Sequence, residues 1–489
     1  IISNRHMLKK STKIITTISD RRCDVDFIRS LFEAGMNVVR MNSAHLGAEG
    51  MAQIVENCRA VSPRIGIIID TKGPEIRTTV NTEPNDKIAF REGMEVEFCG
   101  HTSEPTSAGR ICLNYADIAN DVHPGMHFLI DDGELDFLIL DIDAATGIIR
   151  ARCLNDGNLG SRKSVNIPGS DIRLASLTER DKATLATAAK LGVDFVAHSF
   201  VRSADDVKAV QNELDRLGSD MKIISKIENQ QGVDNFDSIL EASYGIMIAR
   251  GDLGIEVAAE RIPVIQHEMI AKCIAAHHPV IVATQMLHSM ITSPRPTRAE
   301  VSDIANAVYQ RADCLMLSGE TANGRYPVEA VSTMARVAQD VEASLTATIT
   351  SDNIPQLADE HVTSFLARQA VVSEREIGTK AIIANAYHGR TARFIASFRG
   401  ACPVYAICYR RRTMRWLSIS YGIKAYYYED YTRQQRYPLV ALHDFIEQGL
   451  LTPEDRIAIL GAINGTGATF LAINSVQAIM EHGAAGQEA

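Results

Sequence analysis

Residues 222–229 read KIISKIEN, an apolar run that closes on Lys226 and Glu228, two positions apart. Side chains along a strand alternate between faces, so this cation and this carboxylate leave the strand on the same side. Seven further runs share its character: KIITTI (13–18), MNVVRMN (36–42), IGIIID (65–70), DFVAHSF (194–200), GIMIAR (245–250), PVIVAT (279–284) and CLMLSG (314–319). All are nearly continuous in apolar residues and rich in Ile and Val, the pattern of parallel strands covered on both faces. Helical period fills intervals between them. Val207, Val210, Leu214 and Leu217 precede Gly218, and Phe27, Ile28, Leu31 and Phe32 precede Gly35. Strands and helices alternating in this way form βαβ units, and eight such strands predict an α/β fold built on a (β/α)8 TIM barrel.

Residues 71–193 separate the third run from the fourth, far more than one crossover needs. Within this interval, residues 79–171 carry the turn signals ATG, NDG and PGSD and short alternating runs such as HFLI and FLILDI, which predict a small β-rich insertion. Such an insertion serves either as a lid over a site or as passive decoration. Beyond the eighth run, a helical stretch starting at Pro327 gives way to polar TITSDNIPQLADE, and KAIIANA, CPVYAIC and RIAILGAI follow. The expected division is an A domain over 1–78 and 172–345, a B domain over 79–171 and a C-terminal α/β domain over 346–489.

The chain has 489 residues, 46% hydrophobic and 22% charged, enough to bury the cores of several domains. A formal net charge of −10 supplies no basic footprint, so neither nucleic acid nor an anionic membrane is expected as a partner. The first ten residues, IISNRHMLKK, lack the apolar core of a signal peptide, and no run is long enough for a membrane helix, so a cytoplasmic location is expected. Nine cysteines without a Cys-x-x-Cys pair argue against a disulfide framework and a structural zinc site; reduced core thiols are the expectation.

In a (β/α)8 barrel the C-terminal ends of the strands face the active site. Polar residues gather at those ends: Arg40 and Asn42, Asp70 and Lys72, Lys226 and Glu228, Arg250 and Asp252, Thr284, and Ser318 with Glu320. By itself the Lys226/Glu228 pair fits a structural ion pair as well as a ligand site. Glu228 and Asp252, from successive strand ends, could share a hard cation such as Mg²⁺. Around Asp252 the sequence ARGDLGIEV sets two glycines where backbone can approach an anion, although a plain helix-capping turn reads the same way. Arg40, Arg77 and Lys226 would complement such a metal in phosphoryl transfer, which works by positioning and by neutralising phosphate charge.

These residues sit in long motifs that resemble the pyruvate kinase family: DTKGPEIRT (70–78), KIISKIEN (222–229), GIMIARGDLGIE (245–256) and the stretch from PVIVATQM to GRYPVEA (279–330). The resemblance spans essentially the whole chain. It implies a barrel interrupted by a β-barrel-like B domain that closes over the site, a regulatory C domain and a homotetramer. The implied reaction, the final step of glycolysis, moves the phosphoryl group of phosphoenolpyruvate to ADP, giving pyruvate and ATP. Matched to the motifs, Glu228 and Asp252 look like ligands of Mg²⁺ (or Mn²⁺), and Lys226 like the cation that stabilises the migrating phosphoryl group. Gly251, Asp252 and Thr284 resemble contacts to the substrate carboxylate, with Arg40 on the phosphate. Asn42, His45, Arg77 and Lys163 resemble nucleotide-binding positions, and Asn42, Asp70 and Thr71 resemble the K⁺ site.

Two stretches depart from the family pattern. Asn42-Ser43-Ala44-His45-Leu46 has Ala44 where a serine commonly binds K⁺, although Glu75 resembles the form of its motif associated with K⁺ dependence. In the C domain, Asn385-Ala386-Tyr387-His388-Gly389-Arg390-Thr391 replaces a Thr/Ser-rich phosphate loop, and GAINGTG (461–467) lacks a Trp-Arg pair. The cluster Arg410, Arg411, Arg412 and Arg415 is either an anionic-effector site or a solvated helix face. Two other readings remain at this stage: a Mg²⁺-enolate lyase or mutase, which would not need the inserted domain or Lys163, and a catalytically silent homologue.

Overall fold

The computed structural model describes residues 10–44, 46–82, 87–100, 103–170, 172–348, 354, 361–429, 437–462 and 469–485. Strands β1 (Lys13–Ile18), β2 (Val38–Asn42) and β3 (Gly66–Asp70) open a closed barrel. The insertion follows with β4 (Ile88–Phe90), β5 (Glu95–Cys99), β6 (Arg110–Cys112), β7 (His127–Ile130), β8 (Leu135–Asp143), β9 (Ile148–Cys153), β10 (Gly157–Leu159) and β11 (Val165–Asn166). Five strands complete the barrel: β12 (Phe195–His198), β13 (Lys222–Ile227), β14 (Gly245–Ala249), β15 (Val280–Ala283) and β16 (Cys314–Leu317). Every neighbouring pair around it is parallel, and β1 closes on β16. All eight apolar runs are therefore barrel strands. Helices packed outside and side chains filling the inside bury both faces, which is why alternation is missing from these runs.

Local chemistry sets the helix boundaries. Thr297 and Glu300 form a capping box at the start of helix Arg298–Tyr309, and Thr178 and Asp181 do the same for Glu179–Lys190. The helix expected around Val207–Leu217 spans Ala204–Arg216 and ends before Gly218, whose φ of 61° suits a residue without a Cβ.

The inserted strands form a six-stranded sheet in the order β11-β7-β8-β9-β5-β6, with a two-stranded ribbon β10-β4. Their core is separate from the barrel's and centres on Phe90, Phe98, Phe128 and Phe137; the Phe98 and Phe128 rings stack at 4.4 Å between centroids. The C-terminal sheet follows the order β19 (Ile423–Tyr427), β18 (Val404–Cys408), β17 (Ala381–Ala386), β20 (Arg456–Ala462) and β21 (Thr469–Ser475), parallel except for the edge strand β21.

The C-terminal part also stoppers the barrel. Trp416 and Ile419 belong to the cluster inside the barrel, beside Ile15, Val38, Ile68, Phe195 and Ile224. Gly66 at the start of β3 is required there, because an added Cβ would lie 2.2 Å from Ser418 Oγ. Arg415 Nε donates to the fully buried Asp194 at 2.6 Å, and Arg412 Nε pairs with Asp220 at 2.6 Å. This corrects the reading of the arginine cluster as a solvated face: Arg412 and Arg415 fasten the helix Arg411–Trp416 to the barrel, while Arg410 and Arg411 stay exposed.

Candidate active site

The strand ends of the barrel place two buried cations among carboxylates. Arg40 lies on β2, in register with the strand carrying Asp70, and its guanidinium grips that carboxylate with Nε at 3.0 Å and Nη2 at 2.5 Å; Nη1 donates to Thr17 Oγ1. Lys226 Nζ stands 2.8 Å from Glu228 Oε1, 3.4 Å from Asp70 Oδ2 and 2.9 Å from Ser199 Oγ. Side-chain exposure is 11% for Arg40 and 10% for Lys226, so both charges are largely removed from water and rest on these partners. Glu228 Oε2 accepts the Phe200 amide at 2.7 Å.

Burial alone would depress the Lys226 ammonium, but Glu228 and Asp70 hold its pKa above the ordinary value; Arg40 is raised in the same way by Asp70. Burial likewise favours a neutral Asp70, yet Arg40 and Lys226 carry its pKa below the usual range. Glu228 behaves differently. Burial pushes its carboxyl up to about 7 against the pull of Lys226, and the charge of Asp252 adds to the rise. A buried carboxylate whose proton affinity is raised by a second carboxylate forms with it a donor set that a hard divalent cation fits.

Asp252 stands in the first turn of helix Arg250–Glu256. Next to it, the Gly251 amide donates to Thr284 Oγ1 at 2.7 Å, and that hydroxyl donates to Ala283 O. Thr284 and its neighbour Gln285 both have positive φ, 67° and 56°, and Phe200 has 55°. Non-glycine residues in the left-handed region are strained, and three of them ring this mouth. Other polar residues at the strand ends have structural duties. Arg250 pairs with Asp303 at 2.8 Å, and Glu320 accepts the amides of Leu287 and Ser318.

Thr71 Oγ1 accepts the Ser199 amide and lies 3.1 Å from His198 Nδ1, Asn42 Oδ1 accepts the Ala44 amide, and Asp70 joins the two through its place on β3. Arg180 donates to the carbonyls of Ser43 and Ala44, at 2.9 and 3.0 Å, and so anchors the turn after β2. His45 lies outside the described residues, as do 463–467 of the GAINGTG loop.

A cleft of about 460 Å³ separates the insertion from the barrel mouth and is lined by Arg77, Asp131, Lys163, Asn166, Phe200 and Asp252, among others. Arg77 pairs with Glu75 at 2.5 Å and donates to Arg162 O, while Lys163 pairs with Asp131 at 2.8 Å. Asn166 Nδ2 reaches Glu256 Oε1 at 3.2 Å, tying the insertion to the helix that bears Asp252. Arg40, Lys226 and Glu228 are not on the cleft wall; Glu228 reaches it through the Phe200 amide. The sequence reading missed Ser199 and Phe200, although Ser199 is a polar residue just past the strand end of DFVAHSF, the criterion that selected Lys226. Asp131 gave no signal, since only folding sets it against Lys163.

Models of "Pyruvate kinase, barrel domain" and "Pyruvate kinase, alpha/beta domain" match residues 9–331 and 365–471. A pyruvate kinase of Borreliella burgdorferi is 41% identical over 478 residues, covering 96% of this chain and 98% of the relative. One of Leishmania mexicana is 39% identical over 86% of this chain and 85% of its own. Among solved structures, a pyruvate kinase from Cryptosporidium parvum superposes with a TM-score of 0.90 at 34% identity, covering 97% of this chain and 98% of that one. An interrupted parallel barrel with buried cations and carboxylates at its mouth, and likeness of this extent along the chain, make it a member of the pyruvate kinase family and an enzyme with pyruvate kinase function.

Proposed function

We propose that the chain transfers the phosphoryl group of phosphoenolpyruvate to ADP at the barrel mouth, with Lys226 and Arg40 meeting the phosphate. The observation that carries this reading is the pair of buried cations held over Asp70 and Glu228 by fixed hydrogen bonds. Charges that need not reorganise during reaction favour the migrating phosphoryl group most strongly. Glu228 and Asp252 would hold Mg²⁺ or Mn²⁺, which when bound supplies neutralisation of substrate oxygens. An oxygen of the ADP β-phosphate attacks phosphorus, the bond from phosphorus to the enol oxygen breaks, and the electron pair leaves on the enolate. Lys226 offsets the resulting charge. Gly251 and Thr284 would orient the substrate carboxylate next to Asp252, and the enolate carbon takes its proton from a water near Thr284 and Ser318.

Asn42, Arg77 and Lys163 would bind the nucleotide, with residues 79–171 acting as the closing B domain between A-domain segments 1–78 and 172–345. The cleft shared by Arg77, Lys163 and Asp252 supports this assignment. The family match supports His45 as a further nucleotide contact. Asn42, Asp70 and Thr71 would bind K⁺ in spite of Ala44, supported by their oxygen donors and by Glu75. A homotetramer is supported by exposed apolar side chains at Val264, Tyr309, Val362 and Phe365. An anionic effector on the C domain, 346–489, is supported by exposed Arg410 beside Tyr387 and by Gly389 with φ 80° ahead of helix Arg390–Ser397. Among the described residues no helix is long and apolar enough to cross a membrane and every cysteine is free, which supports a cytoplasmic setting.

Pyruvate release from phosphoenolpyruvate, followed by a coupled assay, is expected to require both ADP and a divalent ion and to fall when K⁺ is removed. Release without ADP would favour a lyase, no release would favour a silent homologue, and undiminished turnover without K⁺ would remove the K⁺ assignment.

A further inference from the structure

Strands β5 and β6 of the insertion run parallel with Cys99 directly opposite Cys112, so the two side chains leave the sheet on one face. Their sulfurs are 3.2 Å apart and buried. The turn between the strands brings Glu104 over the same spot, and the two sulfurs and a Glu104 carboxylate oxygen all lie within 4.8 Å of one another. We propose that Cys99, Glu104 and Cys112 form a binding site for a thiophilic divalent cation of the zinc class, separate from the barrel mouth.

Thiolates about 2.3 Å from a tetrahedral zinc ion stand roughly 3.8 Å apart, so the pair needs to spread by only about half an ångström. Glu104 has 52% of its side chain exposed, which gives an entry path and leaves room for water in the fourth position. Its nearest competitor is Arg110, with Nη1 at 3.8 Å, and that guanidinium is already paired with Glu97 at 2.7 Å. Binding converts both thiols to thiolates and sends their protons to solvent. Burial, more than the neighbouring Cys99, raises the Cys112 thiol to about 12. The spacing of the cysteines in sequence gives no zinc motif; the strand register supplies the proximity instead. Cys112 O also accepts the Thr79 amide at 2.8 Å, so a bound ion would brace the chain two residues beyond Arg77.

The test uses the whole chain, reduced, titrated with Co²⁺. One equivalent should develop a thiolate-to-cobalt charge-transfer band, lost in Cys112→Ser and shifted to about tenfold weaker binding in the surface variant Glu104→Gln. Neither the barrel-mouth carboxylates Glu228 and Asp252 nor the group His443, Asp444 and Glu447 holds sulfur, so Co²⁺ bound at either gives no such band. No band in the unmodified chain, or an equal band in Cys112→Ser, would overturn the proposal.

Discussion

The cations of the barrel mouth and those lining the cleft against the insertion are held in opposite ways. Arg40 and Lys226 sit on barrel strands β2 and β13, have several partners each and expose about a tenth of their side chains. Arg77 and Lys163 expose 39% and 36% and each has a single carboxylate partner. A buried network is costly to form and fixed once formed; an exposed ion pair contributes little and exchanges readily with another anion. The first arrangement suits a group that must already be in place when charge develops. The second suits a group that lets go of its own carboxylate when a nucleotide arrives.

Lys226→Met gives the sharpest contrast. Turnover should fall by about 10³-fold or more, with Mg²⁺ affinity read by calorimetry nearly unchanged. Near-normal turnover would remove Lys226 from the phosphoryl path. Next in size, Arg40→Ala leaves buried Asp70 with Lys226 alone and should cost about 3–5 kcal/mol in urea unfolding. Arg77→Ala should change stability by less than about 1 kcal/mol and instead raise KM for ADP. Equal stability losses in the two variants would erase the distinction between the regions.

The acid–base behaviour of Glu228 sharpens the same contrast. Its pKa is raised from 4.5 to about 7, so the folded chain binds this proton more tightly than the unfolded chain, and its contribution to stability declines as pH rises through that window. His198 and His278, lowered to about 4 by burial, act with the opposite sign, gaining stability as pH rises from about 4 to 6.5. Subtracting a Glu228→Gln curve cancels the histidines. In the absence of divalent ion, the remaining difference should fall by about 2–3 kcal/mol between pH 4.5 and 7, and added Mg²⁺ should offset the fall. A flat difference would mean that Glu228 is ionised throughout. The smallest effect is expected for Asp131→Asn, which frees Lys163: KM for ADP should change by about twofold, with stability within about 1 kcal/mol.

The barrel was legible because each of its strands is buried on both faces, so burial writes itself into consecutive residues such as IGIIID and GIMIAR. Lys226, Glu228 and Asp252 were legible because a charge at the end of such a run stands out from it. What escaped the sequence depends on distant partners. Arg415 reads as surface until its partner Asp194, 221 positions away, closes on it. Cys99 and Cys112 become neighbours only through the register of β5 on β6. Phe200 carries its amide to Glu228 through a left-handed turn that an aromatic residue does not announce.

The stopper in the barrel has a spectroscopic consequence. Trp416 is the sole tryptophan of the chain, is 4% exposed and has the Lys222 ammonium 4.3 Å above its ring. Emission excited selectively at the indole therefore comes from one place, the seam where the end of helix Arg411–Trp416 plugs the barrel floor. Loosening of that seam would move the emission toward the red and expose it to aqueous quenchers while the mouth of the barrel stays silent. The chain thus carries a built-in, label-free reporter of its own domain docking, at the far end of the barrel from the chemistry.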